Sequence, residues 1–132
     1  MSEGLHVTSR IEDDVLIITI KDPRLIDYDQ VRAMRTEIEL AIDESSTKLV
    51  AVDMSNVEMI TSVAILPLVG GSGRARHLGG EAVFCNMSEM VNYALETCKL
   101  VVEHRSHSQQ VVGVADLATA IATLKAGAES TE

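Results

Sequence analysis

Two short runs of aliphatic residues constrain the fold of this chain more than any other feature of its sequence. Residues 15–20 (VLIITI) and 49–54 (LVAVDM) are apolar at nearly every position, so both faces of each segment must be covered. Buried parallel strands have this continuous pattern, whereas a half-exposed strand alternates apolar with polar residues. The two runs therefore predict central strands of a sheet that has helices packed against it.

The segments around these two runs predict strands and helices that largely alternate. Residues 5–10 (LHVTSR) precede the polar stretch 11–14 and should form a hairpin with the strand 15–20. Apolar residues at spacings of three and four predict an amphipathic helix over 29–44. Further strands are predicted over 81–86 and 100–106, and further helices over 62–78, 88–95 and 114–125. We therefore expect an α/β fold with a mixed sheet of about five strands, one antiparallel edge and about four helices.

The composition of the second predicted helix disfavours helix formation. Pro67 removes a backbone donor, and each of Gly70, Gly71 and Gly73 lowers helix stability by about 1 kcal/mol relative to alanine. Gly79 and Gly80 provide its stop signal. The segment GGSGRAR (70–76) has neither the GxxxxGK[ST] nor the GxGxxG spacing of a phosphate-binding loop, so close backbone packing is the favoured interpretation.

The length of the chain predicts one domain, residues 1–132. A chain of 132 residues is too short for two stable cores, since domains cluster near ~100 to 150 residues. We expect the core to span about residues 5–125 and the tail 126–132 to be disordered.

Charge and composition exclude several classes of function. The net charge of −9 would repel a phosphate backbone or an anionic membrane, and three aromatic residues provide no platform for stacking bases. We expect neither nucleic acid nor membrane as a partner, and a cytoplasmic location is the default because no leader or membrane-spanning pattern is present. A basic protein is the better match to such an acidic chain.

The sequence offers no convincing catalytic, metal or cofactor site. A hydrolase triad of Ser62, His77 and Asp53 fails because the predicted helix would separate the serine from the histidine by roughly 20 Å. His104 and His107 form a close pair without carboxylate or thiolate neighbours, which is weak evidence for a metal. We expect a protein that is not an enzyme and that needs no cofactor.

Four segments resemble the STAS domain family, which is named after sulphate transporters and anti-sigma-factor antagonists. The resemblance covers roughly residues 5–125. The segments are RLID (24–27), LVAVDMSNVEMITS (49–62), HLGGEAVFCN (77–86) and MVNYALETCKL (90–100). The second segment is similar to the family signature, which runs from a strand to Asp-Ser-Ser-Gly at the start of a helix.

The resemblance implies a phosphorylation switch at this strand-to-helix turn. In the family a protein kinase, often an anti-sigma factor, binds the unmodified domain and releases it after phosphorylating a serine, which Ser62 matches here. The implied partner is therefore an anti-sigma factor or a serine/threonine protein kinase, and a homo-oligomer is also open. A serine at this position is alternatively a plain N-cap. Thr61 is either a second acceptor or a cap.

Departures from the signature leave two other functions open. Thr61 stands where the family has its acid, and Val63 and Ala64 replace Ser-Gly. The chain could therefore be a STAS scaffold that binds partners constitutively without phosphorylation, or a sensor of a small ligand. The expected partner-binding residues are Asp27, Asn56, Thr61, Ser62 and Val63. Asp27 could equally cap a helix, and for Asp53 we favour a turn-forming role.

Overall fold

The computed structural model describes residues 2–97, 101–102 and 111–129. Within these ranges the chain forms nine strands, several of them only two residues long, and four helices. In chain order the elements are β1 (Ser2–Glu3), β2 (Val7–Glu12), β3 (Val15–Ile20), β4 (Arg24–Leu25), α1 (Tyr28–Glu44), β5 (Leu49–Asp53), β6 (Met59–Ile60), α2 (Ser62–His77), β7 (Glu81–Cys85), α3 (Glu89–Thr97), β8 (Val101–Val102), β9 (Val111–Val114) and α4 (Leu117–Glu129).

Seven of the strands form one mixed sheet. Their order is β1-β2-β3-β5-β7-β9-β8, with β2 antiparallel to both β1 and β3 and the remaining neighbours parallel. The strands β4 and β6 form a separate parallel pair. The predicted α/β class, the mixed sheet and the four helices are confirmed, and the sheet contains two strands that were not predicted, β1 at its edge and β9 beside β7.

The two aliphatic runs lie side by side in the middle of this sheet. Leu16 of β3 is paired with Val50 of β5, and the register continues to Thr19 and Asp53. Every residue of β3 except Thr19 is buried. Continuous burial follows because helices cover both faces of the sheet.

The helices cover the two faces unequally. On one face the helices α1, α2 and α3 pack over a large cluster that includes Ile18, Val52 and Phe84. On the other face α4 places Ala120 and Leu124 over a smaller cluster. Because α2 packs on the first face, the turn that starts α2 lies on the same face of the sheet as the larger cluster.

Tertiary packing explains why α2 forms despite its proline and glycines. Gly71 is buried against Ile38 and the aliphatic part of Arg35 on α1, whose nearest atoms lie 3.4 to 3.6 Å from where a Cβ would stand. The Ser72 hydroxyl is buried and donates to the carbonyl oxygens of Leu68 and Val69, at 2.9 and 3.1 Å. The close-packing interpretation of residues 70–76 is therefore confirmed, because burial against α1 offsets the weak intrinsic propensity.

The predicted stop after α2 is also correct. Gly79 adopts a φ of 91°, a conformation that favours glycine. At Gly80 an added Cβ would stand 1.9 Å from the carbonyl oxygen of Lys48, so only glycine fits there. The two glycines end the helix and return the chain to β7 for different physical reasons.

The C-terminal part of the chain corrects the sequence prediction. The strand next to β7 is β9, which was not predicted, and of the predicted strand 100–106 only β8, at the sheet edge, is described. The last helix begins at Leu117 and not at residue 114, and it continues to Glu129. Residues 126–129, expected in a disordered tail, are thus helical because their sequence AGAE contains good helix formers. Residues 130–132 lie outside the described ranges.

Candidate functional site

The candidate site is the turn that leads from β6 into α2. It is held by the short parallel pair of β4 and β6, in which Leu25 is opposite Ile60. Directly after this pair the Thr61 amide donates to the Leu25 carbonyl oxygen at 3.1 Å, and the Ala64 amide donates to the Thr61 carbonyl oxygen at 3.0 Å. These hydrogen bonds and the strand pair hold the turn against the segment that precedes α1.

Ser62 is the first residue of α2 and its side chain is exposed. Within the described residues no carbonyl accepts the amides of Ser62 or Val63, and the first turn of the helix has no acidic side chain. Free amides and the positive end of the helix dipole favour an anion at this place. A phosphate on Ser62 would therefore lie beside backbone amides that donate no hydrogen bond within the described part of the unmodified protein.

Thr61 occupies the N-cap position of α2 without capping it. Its backbone is extended, with φ −112° and ψ 176°, and its side chain makes no capping hydrogen bond. The Oγ1 atom is buried and has no hydrogen-bond partner. The prediction that Thr61 or Ser62 caps α2 is therefore wrong, because the Thr61 side chain makes no capping hydrogen bond and Ser62 lies inside the helix. Of the two hydroxyl residues, only Ser62 is exposed.

Asp27 caps α1 and lies next to the turn through β4. Its Oδ2 accepts from the Gln30 amide at 3.0 Å, and the Gln30 Oε1 accepts from the Asp27 amide at 3.1 Å. This reciprocal pair is a capping box. The Gln30 side-chain amide also donates to Asp22 at 2.8 Å, so the segment before α1 is held from both sides. Asp27 is exposed, and its capping hydrogen bond uses only one of its two carboxylate oxygens.

Asn56 and Asp53 hold the loop that leads to the turn. The Asn56 side-chain amide donates to the carbonyl oxygen of Ile20 at 3.1 Å, which joins the loop to the end of β3. The Asp53 carboxylate accepts from the Ser55 amide and from the Asn86 side chain, each at 3.0 Å. The turn-forming interpretation of Asp53 is confirmed. Asn56 is exposed, and the hydrogen bond that its side chain makes is structural.

Exposed apolar side chains surround Ser62. Ile26 follows β4 as Thr61 follows β6, and both are therefore at the same end of that pair. Leu66 is four residues after Ser62 and three after Val63, so it neighbours both on α2, and the two apolar residues are exposed, Leu66 to 69%. We call the exposed set Ile26, Asp27, Ser62, Val63 and Leu66 the turn surface. Sequence reasoning missed Ile26 and Leu66, although the apolar pair at positions 63 and 66, three residues apart at the start of the predicted helix, was a visible signal.

The alternatives to a binding surface gain no support from the described residues. Ser62 and His77 stand at opposite ends of α2, so the hydrolase triad does not assemble. No group of His, Cys, Asp and Glu among the described residues could hold a metal ion. His104 and His107 lie outside those residues. The described helices include none long and apolar enough to cross a membrane.

Comparison with known proteins gives one family match and several structural matches. The family model described as STAS domain matches residues 6–109. No curated protein matches the chain. Among solved structures, a candidate anti-sigma factor antagonist of Thermotoga maritima is 17% identical with a TM-score of 0.69, over 90% of this chain and 94% of that one.

Two further structures have the same fold. A serine-to-glutamate variant of RsbS from Moorella thermoacetica is 19% identical with a TM-score of 0.71, over 93% of this chain and 97% of that one. A protein of the stressosome, a signal integration and transduction hub, is also 19% identical, with a TM-score of 0.65 over 92% of this chain and 98% of that one. At these identities the structural likeness concerns the fold.

Proposed function

This chain belongs to the STAS domain family, and on that premise we propose that it is a non-catalytic regulatory module that binds another protein through the turn surface. The proposed partner is an anti-sigma factor or a serine/threonine protein kinase, and the proposed place of action is the cytoplasm. Structural relatives that include an anti-sigma factor antagonist and a stressosome protein support a regulatory role.

The observation that carries the proposal is the position of Ser62. An exposed hydroxyl stands at the first residue of a helix of 16 residues, beside free amides and exposed apolar side chains. The side chain is accessible to a kinase, and the helix terminus tolerates the phosphate that a kinase would add. Ser62 is therefore the proposed phosphorylation site, and the buried hydroxyl of Thr61 argues against the alternative acceptor.

Phosphorylation would release the partner by local electrostatics. Apolar residues such as Val63 and Leu66 provide the contact area, and a phosphate adds about two negative charges in the middle of it. Asp27 already lies on the same surface, and the chain carries a net charge of −9. The added charge must be desolvated or opposed by any partner that docks there, so docking weakens without refolding of the domain.

A constitutive scaffold is the second candidate, and the composition of the turn favours it. Val63 and Ala64 replace the polar Ser-Gly of the family signature, and the exposed valine enlarges the apolar part of the surface. A purely apolar contact would need no switch. The two candidates differ in one property: a scaffold takes up no phosphate and keeps its partner.

Binding of a purified anti-sigma factor or kinase to variants of Ser62 tests the proposal. We expect Ser62→Ala to retain binding and to block release by ATP, and Ser62→Asp to weaken binding at least tenfold. Thr123→Asp is the matched control, because Thr123 is exposed on α4, on the other face of the sheet. Equal affinity of wild type and Ser62→Asp, with no release of the wild type by ATP, favours the scaffold.

A further inference from the structure

The short strand β4 is held by hydrogen bonds on both of its sides. On one side the carbonyl oxygens of Pro23 and Leu25 accept from the first amide of β6 and from the Thr61 amide, at 3.3 and 3.1 Å. Alternate residues of a strand direct their backbone groups to opposite sides. The carbonyl group of Arg24 and the amide of Ile26 therefore point away from β6.

On that other side the side chain of Gln30 takes the place of a neighbouring strand. Its Nε2 donates to the Arg24 carbonyl oxygen at 2.7 Å, and its Oε1 accepts from the Ile26 amide at 3.2 Å. A residue of a parallel strand bonds in the same way to the two residues that flank its partner. The residue between the two bonds is Leu25, which is fully buried. The Gln30 amide thus adds one peptide-like unit to the pair of β4 and β6.

The Gln30 side chain uses its whole hydrogen-bonding capacity in this place. Oε1 accepts a second bond from the Asp27 amide at 3.1 Å, and Nε2 donates a second bond to Asp22 Oδ2 at 2.8 Å. A side-chain amide has two donors and two lone pairs, and all four are engaged. Asp22 Oδ2 also lies 2.7 Å from His6 Nδ1, where the two side chains are only 17% and 19% exposed. These contacts fix the orientation of Gln30.

We propose that Gln30 is a positioning residue of the partner-binding site, an inference that rests on the proposed function. A pair of strands with two residues each is marginal on its own, and this pair holds the turn into α2. Gln30 completes the pair from outside and so fixes the turn that carries Ser62. The same side chain fixes the backbone of Ile26 and Asp27, which also belong to the turn surface. A partner therefore meets a preorganised surface.

Gln30→Glu separates this role from helix capping. Glutamate is as good as glutamine at this position of a capping box, and a negative charge in the first turn favours a helix. Capping alone therefore predicts that the variant is unchanged or more stable. In the positioning role a carboxylate oxygen replaces the Nε2 donor and faces two acceptors, the Asp22 carboxylate and the Arg24 carbonyl oxygen. We expect the β4–β6 pair and the turn to loosen.

Asp22→Asn provides a rescue of this variant. In the double variant Asp22→Asn/Gln30→Glu the new NH2 group at position 22 can donate to the introduced carboxylate and to the neutral His6 ring, which restores one of the two lost bonds. Asp22→Asn alone should loosen the turn less than Gln30→Glu does, because its side-chain oxygen can still accept from Gln30.

Asp116→Ala is the matched control. Asp116 accepts from the Thr119 amide at 2.8 Å and so caps α4, which packs on the other face of the sheet. The control therefore loses a capping hydrogen bond and no contact at the turn.

Hydrogen exchange followed by mass spectrometry tests the hold on the turn without any partner. In Gln30→Glu the amides of residues 59–66 should exchange about tenfold faster than in the wild type, and the double variant should recover part of this protection. The amides of residues 81–85 in β7 are the internal reference, and Asp116→Ala should leave residues 59–66 unchanged. Equal exchange at 59–66 in Gln30→Glu and wild type, or an equal rise at 81–85, overturns the proposal.

Calorimetric binding of the purified anti-sigma factor or kinase tests the role in docking, at a temperature where circular dichroism finds every variant folded. Gln30→Glu should weaken the affinity about fivefold or more, the double variant should regain part of it, and Asp116→Ala should bind as the wild type does. Faster exchange at the turn with unchanged affinity overturns the positioning role. If the wild type and Ser62→Asp bind alike, the proposed function fails, and the exchange result still decides whether Gln30 holds the turn.

Discussion

Replacement of Thr61 by valine should stabilise the protein, contrary to what its N-cap position suggests. A threonine that caps a helix loses about 0.5 to 2 kcal/mol of stability on removal of its hydroxyl. Thr61 forms no such bond, and its Oγ1 atom is buried without a partner. Water hydrates this hydroxyl in the unfolded chain but not in the folded protein, so burying it destabilises the folded state.

The size of the effect follows from the missing hydrogen bond. A buried polar group without a partner costs about 1 to 3 kcal/mol, and valine replaces the hydroxyl by a methyl group of similar size. The extended backbone of Thr61, at φ −112° and ψ 176°, suits a β-branched residue, so no strain opposes the change. We expect the free energy of unfolding of Thr61→Val to rise by about 1 kcal/mol. The corresponding rise in Tm is about 3 to 5 °C for a chain of this size.

Urea denaturation followed by circular dichroism measures this change. Asp27→Ala is the contrasting variant, because Asp27 does accept a capping hydrogen bond, and it should lose about 1 kcal/mol. Thr123→Val, at an exposed helix position, should change stability by less than about 0.5 kcal/mol. A loss of stability in Thr61→Val similar to that of Asp27→Ala would refute the reasoning, because it would mean that the Thr61 hydroxyl caps α2.

Three further outcomes follow from the packing and from the shifted pKa values. Gly73→Ala should stabilise α2 by about 1 kcal/mol in thermal unfolding, because a Cβ at Gly73 meets nothing within 4 Å, and a destabilised variant would contradict the described packing of α2. Burial raises the pKa of Cys85 to about 12, with Asp53 and Asp116 adding to the shift, so peptide mapping should find Cys85 unalkylated at pH 8 until the protein is unfolded; rapid native labelling would contradict this. The Thr119 amide donates to the Asp116 carboxylate at 2.8 Å and lowers the pKa of Asp116 below its ordinary value of 3.8. The ionised carboxylate therefore stabilises the folded protein fully at pH values above 3.8, and this stabilisation is lost as the pH falls through the lowered pKa. Asp116→Asn should therefore flatten the acid limb of a stability curve, and an unchanged acid limb would contradict the assignment.

The central strands and the position of the turn could be predicted because strong local patterns agree there with the fold. The runs at 15–20 and 49–54 are apolar on both faces, and such segments have few alternatives to a covered strand. The helix over 28–44 has clear periodicity and a capping box, and its predicted start was within one residue. Gly79 and Gly80 gave a reliable end to α2.

The remaining features depend on contacts between distant parts of the chain. The strands β4 and β6 have two residues each, and neither has a pattern of its own without its partner. The strand β9 was not predicted because VVGV at 111–114 is short and contains a glycine, whereas residues 100–106 look more strand-like. The burial of the Thr61 hydroxyl and the exposure of Ser62 depend on packing around the turn, which cannot be read from sequence spacing.

Mapping of phosphate after incubation with a purified partner kinase and ATP tests the central claim most directly. The account predicts a single phosphate on Ser62 of the wild type, found by peptide mass spectrometry, and none on Ser62→Ala. It also predicts that the phosphorylated protein loses its partner in the same reaction. Phosphate confined to Thr61 or to residues away from the turn would contradict the claim that Ser62 is the switch.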